Sequence, residues 1–570
     1  MAASENGRVI PAAHRPPVDS RREFIKRELD DEDERIDVGV AIVGGGPAGL
    51  ACANRLLQRL AAEPELTERL GEVPVAVVEK GKACGAHNLS GAMMRPSGLQ
   101  ELFPDVDPSE WPTYGQVDRD AVYWMLSPSR ALPLKPTPPP FRNHGNYVVS
   151  VAELSRWLAE KAEEAGAYIL TETSAHQLLV EDGVVRGIRS GDKGRGKDGE
   201  PLSNFEPGAD VTARATVLAE GTWGHLTGAA IREFDLARDR EPKVWALGVK
   251  EVWTVPKKLD RVVHTLGWPL RYGSKHHEFG GSWIYPMGED RVSIGFVVGL
   301  DYTDATLSGH DLLQQFKTSK LVRGILEGGE RVAWGAKAIP EGGYWAMPKL
   351  SAPGMVLCGD AGGMVNVPIL KGIHYAIHSG ILAADAIFEA LKAGSTDLAS
   401  YEQAVEDSVI GKDLYESRNM KQPFGKGFFV GGAVTNAMVV TKGRFPGGRW
   451  ENHPDAEAPM EIGDKRRGYP RPDGRYVFDK LSSVFITGNA TRDDAPNHIR
   501  VKRRVPRTLA ETWRWMCPAG VYEIPDDAPE DGHVDVIVNY TNCVQCGAIT
   551  AKGGRLTTPE GGDGPLYQIT

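Results

Sequence analysis

The sequence predicts an α/β fold built on a parallel sheet, and two observations support that prediction. The run from Val38 to Val43 is apolar and rich in β-branched residues, which is typical of a strand buried on both faces. A glycine turn follows at once, with Gly44, Gly46 and Gly49 in the pattern G-x-G-x-x-G. Apolar residues on one face then predict a helix from Ala48 to Leu60. The fold therefore opens with a strand, a tight turn and a helix N-terminus.

This turn predicts a binding site for a diphosphate. A helix that begins near Pro47 and Ala48 directs its positive dipole end at the turn, and a glycine lets a phosphate approach the backbone. A second apolar strand, Val73 to Val78, ends in Glu79, where a carboxylate can accept a hydrogen bond from a ribose hydroxyl. The alternative is a glycine-rich turn without a ligand. The pattern alone does not distinguish FAD from NAD.

Length, charge and cysteine usage narrow the class of protein. A chain of 570 residues predicts roughly two to four domains. The net charge of -10 argues against a nucleic-acid partner and favours a small molecule or a protein. Residues 1–35 lack the apolar stretch of a secretory signal and are expected to form a mobile tail, and no apolar run is long enough to span a membrane. Six cysteines predict no disulfide scaffold and indicate a reducing compartment.

The segments after the first turn continue the α/β pattern. The loop Gly81 to Ala92 consists of small residues and is either a floor under a flat ligand or an ordinary surface loop. An amphipathic helix is predicted from Val151 to Ala165, and a hairpin turns at Asp182-Gly183. The strand Val211 to Ala219 ends at Glu220-Gly221. We expect it to return to the first sheet and to place Gly221 beside the nucleotide.

A separate sheet is predicted from Lys243 to Val298, where apolar and polar residues alternate. We expect this sheet to form one wall of a pocket. The run His276-His277-Glu278 lies within it, but neighbours in an extended segment point to opposite faces, which disfavours a metal site.

A second glycine turn lies some three hundred residues after the first. The apolar strand Met355 to Cys358 leads into Gly359-Asp360-Ala361-Gly362, and a long helix follows. This segment resembles the second flavin motif of glutathione-reductase-like flavoproteins, in which the aspartate accepts a hydrogen bond from a ribityl hydroxyl. One cofactor that reaches both turns favours FAD over NAD.

The stretch Phe424 to Val440 is apolar, rich in glycine and too short to span a bilayer. It is either a buried helix or loop, or a monotopic patch that enters one leaflet.

The C-terminal region carries a cysteine site. Cys517 is followed by proline, and Cys543 and Cys546 have C-x-x-C spacing, which is the ferredoxin pattern in reverse order along the chain. A ferredoxin-like motif would place a fourth cysteine at position 549, which is Ile549. The alternative is a zinc site completed by His533 or water.

With these motifs the chain resembles the electron transfer flavoprotein–ubiquinone oxidoreductase family from Val38 to Tyr567. The matching segments are long and specific: Gly85 to His87, Leu89 to Ala92, Asn143 to Tyr147, His264 to Leu270, Gly295 to Tyr302, Leu326 to Gly329, Met347 to Leu350, Cys517 to Glu523 and Pro559 to Gly562.

The resemblance implies three units on a monotopic membrane protein. They are an FAD-binding domain of the glutathione-reductase-like type, expected over 36–150, 211–242 and 340–420, an inserted β-rich quinone-binding domain over 151–210 and 243–339, and a C-terminal ferredoxin-like iron–sulfur domain over 461–570. Residues 421–460 are expected to contact the membrane. By the same resemblance the protein is expected on the cytoplasmic face of a bacterial inner membrane, where it is peripheral or monotopic.

The resemblance also implies roles for individual residues. Gly280 and Gly281 fall on the glycine pair at the quinone head group, and Cys517, Cys543 and Cys546 fall on three of the four ligands of a [4Fe–4S] cluster. Ile549 replaces the fourth ligand, so the site holds a [3Fe–4S] cluster, a [4Fe–4S] cluster with another fourth ligand, or no stable cluster. Leu89 to Phe103 and Phe424 to Val440 fall on the two segments that enter the membrane.

The predicted reaction is an electron relay. Reduced electron transfer flavoprotein delivers electrons to a chain of FAD and cluster, and a membrane quinone accepts them; no catalytic proton-transfer residue is assigned. One rival is an NAD(P)H-dependent flavin hydroxylase or prenyl reductase with a structural zinc at the cysteines. Another is a non-catalytic flavin-stabilised docking protein with a zinc knuckle.

Overall fold

A computed structural model describes residues 8–91, 93–272, 275–366, 368–463 and 466–570. Residues 1–7 of the predicted tail and Ala92 of the predicted loop lie outside the described residues. The helices, in chain order, are α1 (Ser20–Phe24), α2 (Pro47–Leu60), α3 (Pro64–Arg69), α4 (Ser97–Leu102), α5 (Val151–Glu164), α6 (His225–Glu233), α7 (Gly309–Lys317), α8 (Lys320–Leu326), α9 (Ile373–Ala393), α10 (Ser400–Asp407), α11 (Val409–Glu416), α12 (Phe428–Thr441), α13 (Lys480–Phe485), α14 (Arg507–Met516) and α15 (Ala548–Ala551).

The strands, in chain order, are β1 (Ile25–Lys26), β2 (Ile36–Val43), β3 (Val75–Val78), β4 (Met93–Met94), β5 (Thr113–Gln116), β6 (Asp120–Ser127), β7 (Arg130–Pro133), β8 (Tyr147–Val149), β9 (Tyr168–Leu170), β10 (Ala175–Glu181), β11 (Val184–Ser190), β12 (Lys193–Arg195), β13 (Pro201–Glu206), β14 (Asp210–Leu218), β15 (Trp245–Thr254), β16 (Val262–Gly267), β17 (Gly280–Met287), β18 (Arg291–Gly299), β19 (Arg331–Pro340), β20 (Ser351–Ala352), β21 (Met355–Leu357), β22 (Ile499–Arg500), β23 (Arg504–Pro506), β24 (Tyr522–Glu523), β25 (His533–Asp535), β26 (Ile537–Val538) and β27 (Arg555–Leu556).

The first sheet contains the parallel strands β21, β14, β2, β3 and β9, with β9 at one end of the sheet. Val43 at the end of β2 pairs with Val78 and with Leu218, and Leu218 pairs with Leu357. The loops that follow β2, β3, β14 and β21 therefore all leave at the carboxyl ends of the strands. This edge of the sheet is where open α/β sheets bind their ligands. Helices α2, α5 and α9 cover the sheet, with α2 packed on both others.

The second sheet has seven strands in the order β19-β15-β18-β17-β16-β6-β7 and is antiparallel except between β16 and β6. Its outer face is covered by α7, and between them Lys317 Nζ lies 2.6 Å from Glu251 Oε2, with both side chains fully buried. Losing Glu251 would leave the buried Lys317 ammonium without its carboxylate, so the pair fixes how α7 sits on the sheet.

The C-terminal unit is built from short two-stranded ladders, β22 with β27, β23 with β25 and β24 with β26. Its central helix α14 buries Trp513, whose Nε1 donates to the carbonyl of Lys552 at 2.7 Å. Trp513 and Val534 share one hydrophobic cluster with Tyr302 and Leu312 of the second sheet's unit. The C-terminal unit therefore packs on the second sheet through a common core.

Two of the expected domain boundaries are wrong. Residues 151–210 do not belong to the β-rich unit, because β9 extends the first sheet beside β3 and the hairpin β10–β11 continues it beside β14. A parallel strand can pair only after a crossover, and α5 provides it. Conversely, β6 and β7 at 120–133 lie within the expected FAD-binding range but belong to the second sheet, where β6 pairs with β16.

The expectation of a mobile N-terminal tail is wrong from residue 8 onward. Ile25 pairs with Leu178 at the edge of the first sheet, and the Phe24 ring lies 4.9 Å from the ring of His225. Lys26 Nζ reaches the carboxylate of Asp210 at 2.7 Å. Apolar and charged contacts that no local pattern reveals tie this segment to the first sheet.

Helix α12 lies on the surface, so the interpretation of Phe424 to Val440 as a buried helix is wrong. Of its residues only Gly431 and Met438 are buried, whereas Phe429 is 73% exposed and Val440 83% exposed. Among the described residues, every helix is too short or too polar to cross a membrane.

Candidate functional site

A large cavity of about 590 Å³ runs from the first glycine turn to the second sheet and α12. We call it the large cavity. Its wall combines the loops at the edge of the first sheet with strands of the second sheet and one side of α12. Of the residues predicted as site residues, nine line it: Gly44, Gly46, Pro47, Ala48, Glu79, Gly221, Gly280, Gly281 and Asp360. The predicted dinucleotide and quinone residues therefore share one continuous space.

The three glycines of the first turn have different physical roles. A Cβ on Gly44, whose φ is +111°, would lie 2.3 Å from the carbonyl oxygen of Ala219, and one on Gly49 would lie 2.2 Å from the carbonyl oxygen of Gly44. These two glycines are required by the turn and by the close packing of α2 on β2. A Cβ on Gly46 would meet no protein atom closer than 3.4 Å, so only Gly46 keeps open space that a ligand can use.

Two helix N-termini open onto the large cavity. Helix α2 begins after Gly46 and α9 after Gly372, and neither has a side-chain cap or an acidic residue in its first turn. Gly380 lets the two helices approach, because a Cβ there would lie 2.3 Å from the carbonyl oxygen of Ala48. The uncapped N–H groups and the helix dipoles favour an anionic or electron-rich ligand such as a pyrophosphate.

Glu79 is held in place by the turn it follows. Its Oε2 accepts a hydrogen bond from the Gly45 amide at 2.8 Å, and its Oε1 accepts one from the Gly81 amide at 2.6 Å. A carboxylate oxygen has capacity for a second donor. Glu79 therefore presents a fixed acceptor to the large cavity, as the ribose contact requires.

Of the two predicted acceptor side chains on the wall, Glu79 and Asp360, Asp360 makes the weaker hydrogen bond to the protein. The Thr222 hydroxyl lies 3.5 Å from its Oδ2, at the limit of a hydrogen bond. Burial raises the pKa of the Asp360 carboxyl to about 6. A ligand hydroxyl at this wall would supply the missing donor. Together with the space at Gly46 and the two open helix ends, this shows that the residues present fit an FAD molecule.

Three predicted site residues, Gly49, Gly359 and Gly362, lie behind the wall of the large cavity. A Cβ on Gly359 would come within 3.0 Å of the Ala48 Cβ, and one on Gly362 within 3.0 Å of the Leu350 Cδ2. They fix the packing that holds Asp360 and α2 in position. Their place in the motif is therefore explained by packing and backbone conformation.

Sequence reasoning missed the cations of the large cavity. Lys80, Lys337 and Lys371 line it, and burial lowers the pKa of each, to about 8 for Lys337 and Lys371. Positive charge there favours an electron-rich group, which is one way in which a protein tunes a flavin. Of these three lysines, the sequence pointed only to Lys80, because it directly follows the predicted site residue Glu79. The two others come from distant segments.

At the far end of the large cavity, Gly280 and Gly281 lie on β17, and the backbones of the flanking strands β18 and β16 approach them closely. A Cβ on Gly280 would lie 2.0 Å from the Val297 carbonyl oxygen, and one on Gly281 would lie 2.9 Å from the Thr265 carbonyl oxygen. The Tyr272 hydroxyl donates to the Gly280 carbonyl at 2.7 Å. The sheet therefore requires both glycines, and their bare backbone forms part of the wall.

The three predicted cysteines come together around a second, smaller cavity, the cysteine cavity. Cys517, Cys543, Cys546 and Ile549 all line it. The Val521 amide donates to Cys517 Sγ at 3.5 Å and the Gln545 amide to Cys543 Sγ at 3.4 Å. Among the described residues, no three His, Cys, Asp or Glu side chains converge on one metal position. Thiols around a shared space, with no common point, fit a polynuclear cluster better than a single zinc ion.

The wall between the two cavities is thin. Ala338, which lines the large cavity, donates from its amide to the Cys546 carbonyl at 2.8 Å. Trp223 lies directly against Gly547, where a Cβ would come within 1.9 Å of its ring. Lys80 Nζ donates to Gln545 Oε1 at 2.6 Å. One residue layer therefore separates a ligand in the large cavity from the cysteines.

Comparisons with known proteins agree with this geometry. The family model "ETF-QO, ubiquinone-binding" matches residues 245–339, and "Electron transfer flavoprotein-ubiquinone oxidoreductase, 4Fe-4S" matches residues 474–568. The first match contains Gly280 and Gly281, and the second contains all three cysteines of the cysteine cavity.

Relatives match over almost the whole chain. A probable electron transfer flavoprotein-ubiquinone oxidoreductase from Acinetobacter baylyi is 36% identical over 94% of this chain and 99% of its own. The mitochondrial electron transfer flavoprotein-ubiquinone oxidoreductase of Bos taurus is 38% identical over 93% and 89%. Among solved structures, a geranylgeranyl bacteriochlorophyll reductase-like protein from Thermoplasma acidophilum shares the fold, with a TM-score of 0.52 and 20% identity over 69% of this chain and 88% of its own. The predicted family is confirmed, and the chain belongs to the electron transfer flavoprotein–ubiquinone oxidoreductase family.

Proposed function

We propose that this protein transfers electrons from reduced electron transfer flavoprotein, through FAD and an iron–sulfur cluster, to a membrane quinone. The observation that carries the proposal is the arrangement of the two cavities. The large cavity joins a dinucleotide cradle to an apolar mouth, and the cysteine cavity lies one residue layer away across Trp223 and Ala338. A hydroxylase or prenyl reductase would leave the cysteine cavity without a role.

FAD would be held by the cradle at the edge of the first sheet. Gly44, Gly46, Pro47 and Ala48 would receive the pyrophosphate, Glu79 the ribose and Asp360 the ribityl chain, while Gly221 would contribute its backbone to the wall. When bound, FAD supplies the exchange between two-electron and one-electron chemistry. The protein fixes its place and surrounds it with the charges of Lys80 and Lys337.

A quinone ring would occupy the far end of the large cavity beside Gly280 and Gly281. Quinol formation consumes two electrons and two protons, and Glu341 and Lys421 form an ion pair of 3.2 Å on this part of the wall. Burial raises the pKa of the Glu341 carboxyl and the Lys421 ammonium lowers it, so this buried carboxylate can take up a proton and pass it to the reduced ring. We therefore propose the pair as the local proton source.

The mouth of the large cavity would face a membrane. Phe428 lines the cavity and packs on Tyr272 with ring centroids 4.1 Å apart, while the neighbouring Phe429 is exposed. Residues 420–450 contain five basic residues and no acidic one, in a chain with a net charge of -10. An exposed apolar helix with basic flanks is typical of a segment that inserts into one leaflet of an anionic membrane.

The same proposal also covers the fold of two units, the cluster ligands and the location of the protein. We infer a glutathione-reductase-like FAD-binding fold and a ferredoxin-like C-terminal unit with Cys517, Cys543 and Cys546 as cluster ligands. We also infer peripheral or monotopic association with the cytoplasmic face of a bacterial inner membrane. The expected cofactors follow from the donor sets of the two cavities.

The test is a coupled assay with purified protein. Reduced electron transfer flavoprotein and a short-chain ubiquinone should together yield quinol, and omission of either should abolish turnover. NADPH oxidation without electron transfer flavoprotein would instead favour the hydroxylase or reductase alternative. One zinc per chain, with neither iron nor acid-labile sulfide, would contradict the relay.

A further inference from the structure

We infer that the cysteine cavity holds a three-iron [3Fe–4S] cluster, a site that lacks the fourth ligand of a [4Fe–4S] cubane. The inference rests on the iron–sulfur centre of the proposed function and specifies its composition. Each iron of a [4Fe–4S] cluster needs a terminal ligand, and four cysteines are the usual set. Three thiolates complete the coordination of three irons, so a fourth iron would need a ligand, such as another side chain or a water molecule, at the remaining corner.

Ile549 closes the corner at which the fourth ligand would lie. Its side chain is 4% exposed and lines the cysteine cavity together with Leu556. A Cβ on Gly554 would lie 2.5 Å from Ile549 Cγ1 and 2.8 Å from Val501 Cγ1. The isoleucine is thus wedged between the backbone of Gly554 and another aliphatic side chain. An apolar corner of this kind offers an additional iron no donor atom.

The described wall of the cysteine cavity offers few replacement ligands. Besides the three cysteines, the described residues of the wall are apolar or glycine, except for the phenol of Tyr522. They are Met516, Ala519, Val521, Tyr522, Val544, Gly547, Ala548, Ile549 and Leu556. His533, the ligand that the sequence offered for zinc, is not on this wall and belongs to β25. Apart from the weakly binding thioether of Met516, Tyr522 is therefore the side chain on the described wall that could replace a cysteine, and it must be tested.

The experiment compares the full-length protein, purified with its FAD under anaerobic conditions, with three variants. Iron and acid-labile sulfide are measured per FAD, and electron paramagnetic resonance spectra are recorded before and after dithionite reduction. We expect about three irons per FAD and a cluster signal in the oxidised protein that disappears on reduction, because an oxidised three-iron cluster has an odd number of unpaired electrons.

Ile549→Cys restores a thiol at the corner. It should raise the iron content to about four per FAD and move the signal to the reduced state, as for a four-cysteine cluster. Ile549→Val, which keeps the corner aliphatic, and Tyr522→Phe, which removes the phenol oxygen, should both retain about three irons and the oxidised-state signal.

Several results would overturn the inference. They are about four irons with a reduced-state signal in the unaltered protein, uptake of a fourth iron from excess Fe²⁺ and sulfide under reducing conditions, or a change of cluster type in Tyr522→Phe. Each of these leaves the relay intact, because a cluster is still present. Zinc in place of iron would instead remove the proposed function itself, so the two failures are distinguishable.

Discussion

The large cavity and the cysteine cavity are built from different materials. The FAD cradle consists mostly of backbone: a glycine turn, two uncapped helix ends and four loops at one edge of a parallel sheet. The cysteine cavity depends on individual side chains, three thiols and one isoleucine, carried on short ladders and a four-residue helix. A site made of backbone tolerates most substitutions, whereas a site made of side chains changes its chemistry with a single one.

The largest effect is expected where a single side chain carries the site. Cys543→Ser should remove the cluster, because two thiolates cannot hold it. Iron per FAD should fall close to zero, and quinone reduction with electron transfer flavoprotein should fall by more than ~100-fold. FAD content, read from the flavin absorbance, should be unchanged. Cys52→Ala, at a buried cysteine of α2 that lines neither cavity, is the control and should retain its iron. Equal iron loss in both variants would contradict the assignment.

The next prediction separates a glycine that serves the fold from one that serves the ligand. Gly44→Ala places a Cβ 2.3 Å from the Ala219 carbonyl at a φ of +111°. The strain and the clash together should lower the free energy of unfolding by about 3 kcal/mol or more.

Gly46→Ala is the matched variant. Its Cβ has 3.4 Å to the nearest protein atom, so stability of the FAD-free protein should change by less than about 1 kcal/mol while FAD binding weakens. Chemical denaturation of both apoproteins and a flavin fluorescence titration measure the two quantities. Equal destabilisation by both substitutions would show that the distinction is wrong.

The contrast between the two cavities also explains which features could be predicted from the sequence. The first sheet, its glycine turns and the cysteine spacing follow local rules, because strand, turn and helix need particular residues at neighbouring positions. The place of β9 depends on its pairing with β3, 92 residues earlier, and the position of β6 beside β16 and the anchoring of Ile25 depend on partners more than a hundred residues away. Lys337 and Lys371 escaped prediction for the same reason, since burial beside a cavity is a property of the assembled fold.

A smaller effect is expected at Asp360, where one side chain contributes to the backbone cradle. Loss of a hydrogen bond to its charged carboxylate should weaken FAD binding by about 1.5–3 kcal/mol, roughly 10- to 150-fold, in Asp360→Asn. A flavin titration of the apoprotein measures the change. Asp385→Asn, on the outer side of α9 in contact with Arg55, is the control and should leave FAD binding unaltered.

The pH dependence of FAD binding tests the same residue. The pKa of Asp360 is raised to about 6 without the ligand, and a hydrogen bond from a ligand hydroxyl would lower it in the complex. Binding should therefore be at full strength above pH 6 and should weaken as the pH falls below 6, towards the pKa of the complex. Asp360→Asn should lose this dependence. A slope that persists in the variant would assign the titration to another group.

The smallest effect is expected at the mouth of the large cavity, where exposed apolar area matters more than any single contact. Phe429→Ser should weaken binding to vesicles of anionic phospholipid by about 1.5 kcal/mol, roughly tenfold, because burial of one phenylalanine is worth that much.

Phe485→Ser is the matched control, since Phe485 is 88% exposed but lies on α13. Helix α13 contacts the Arg331 end of β19, whereas Lys421, which leads into α12, pairs with Glu341 just after the other end. A ten-residue strand separates those ends by roughly 30 Å, so Phe485 lies far from the mouth of the large cavity. Vesicle sedimentation at two ionic strengths distinguishes this apolar contribution from attraction by the basic flanks, and equal losses in both variants would place the membrane contact elsewhere.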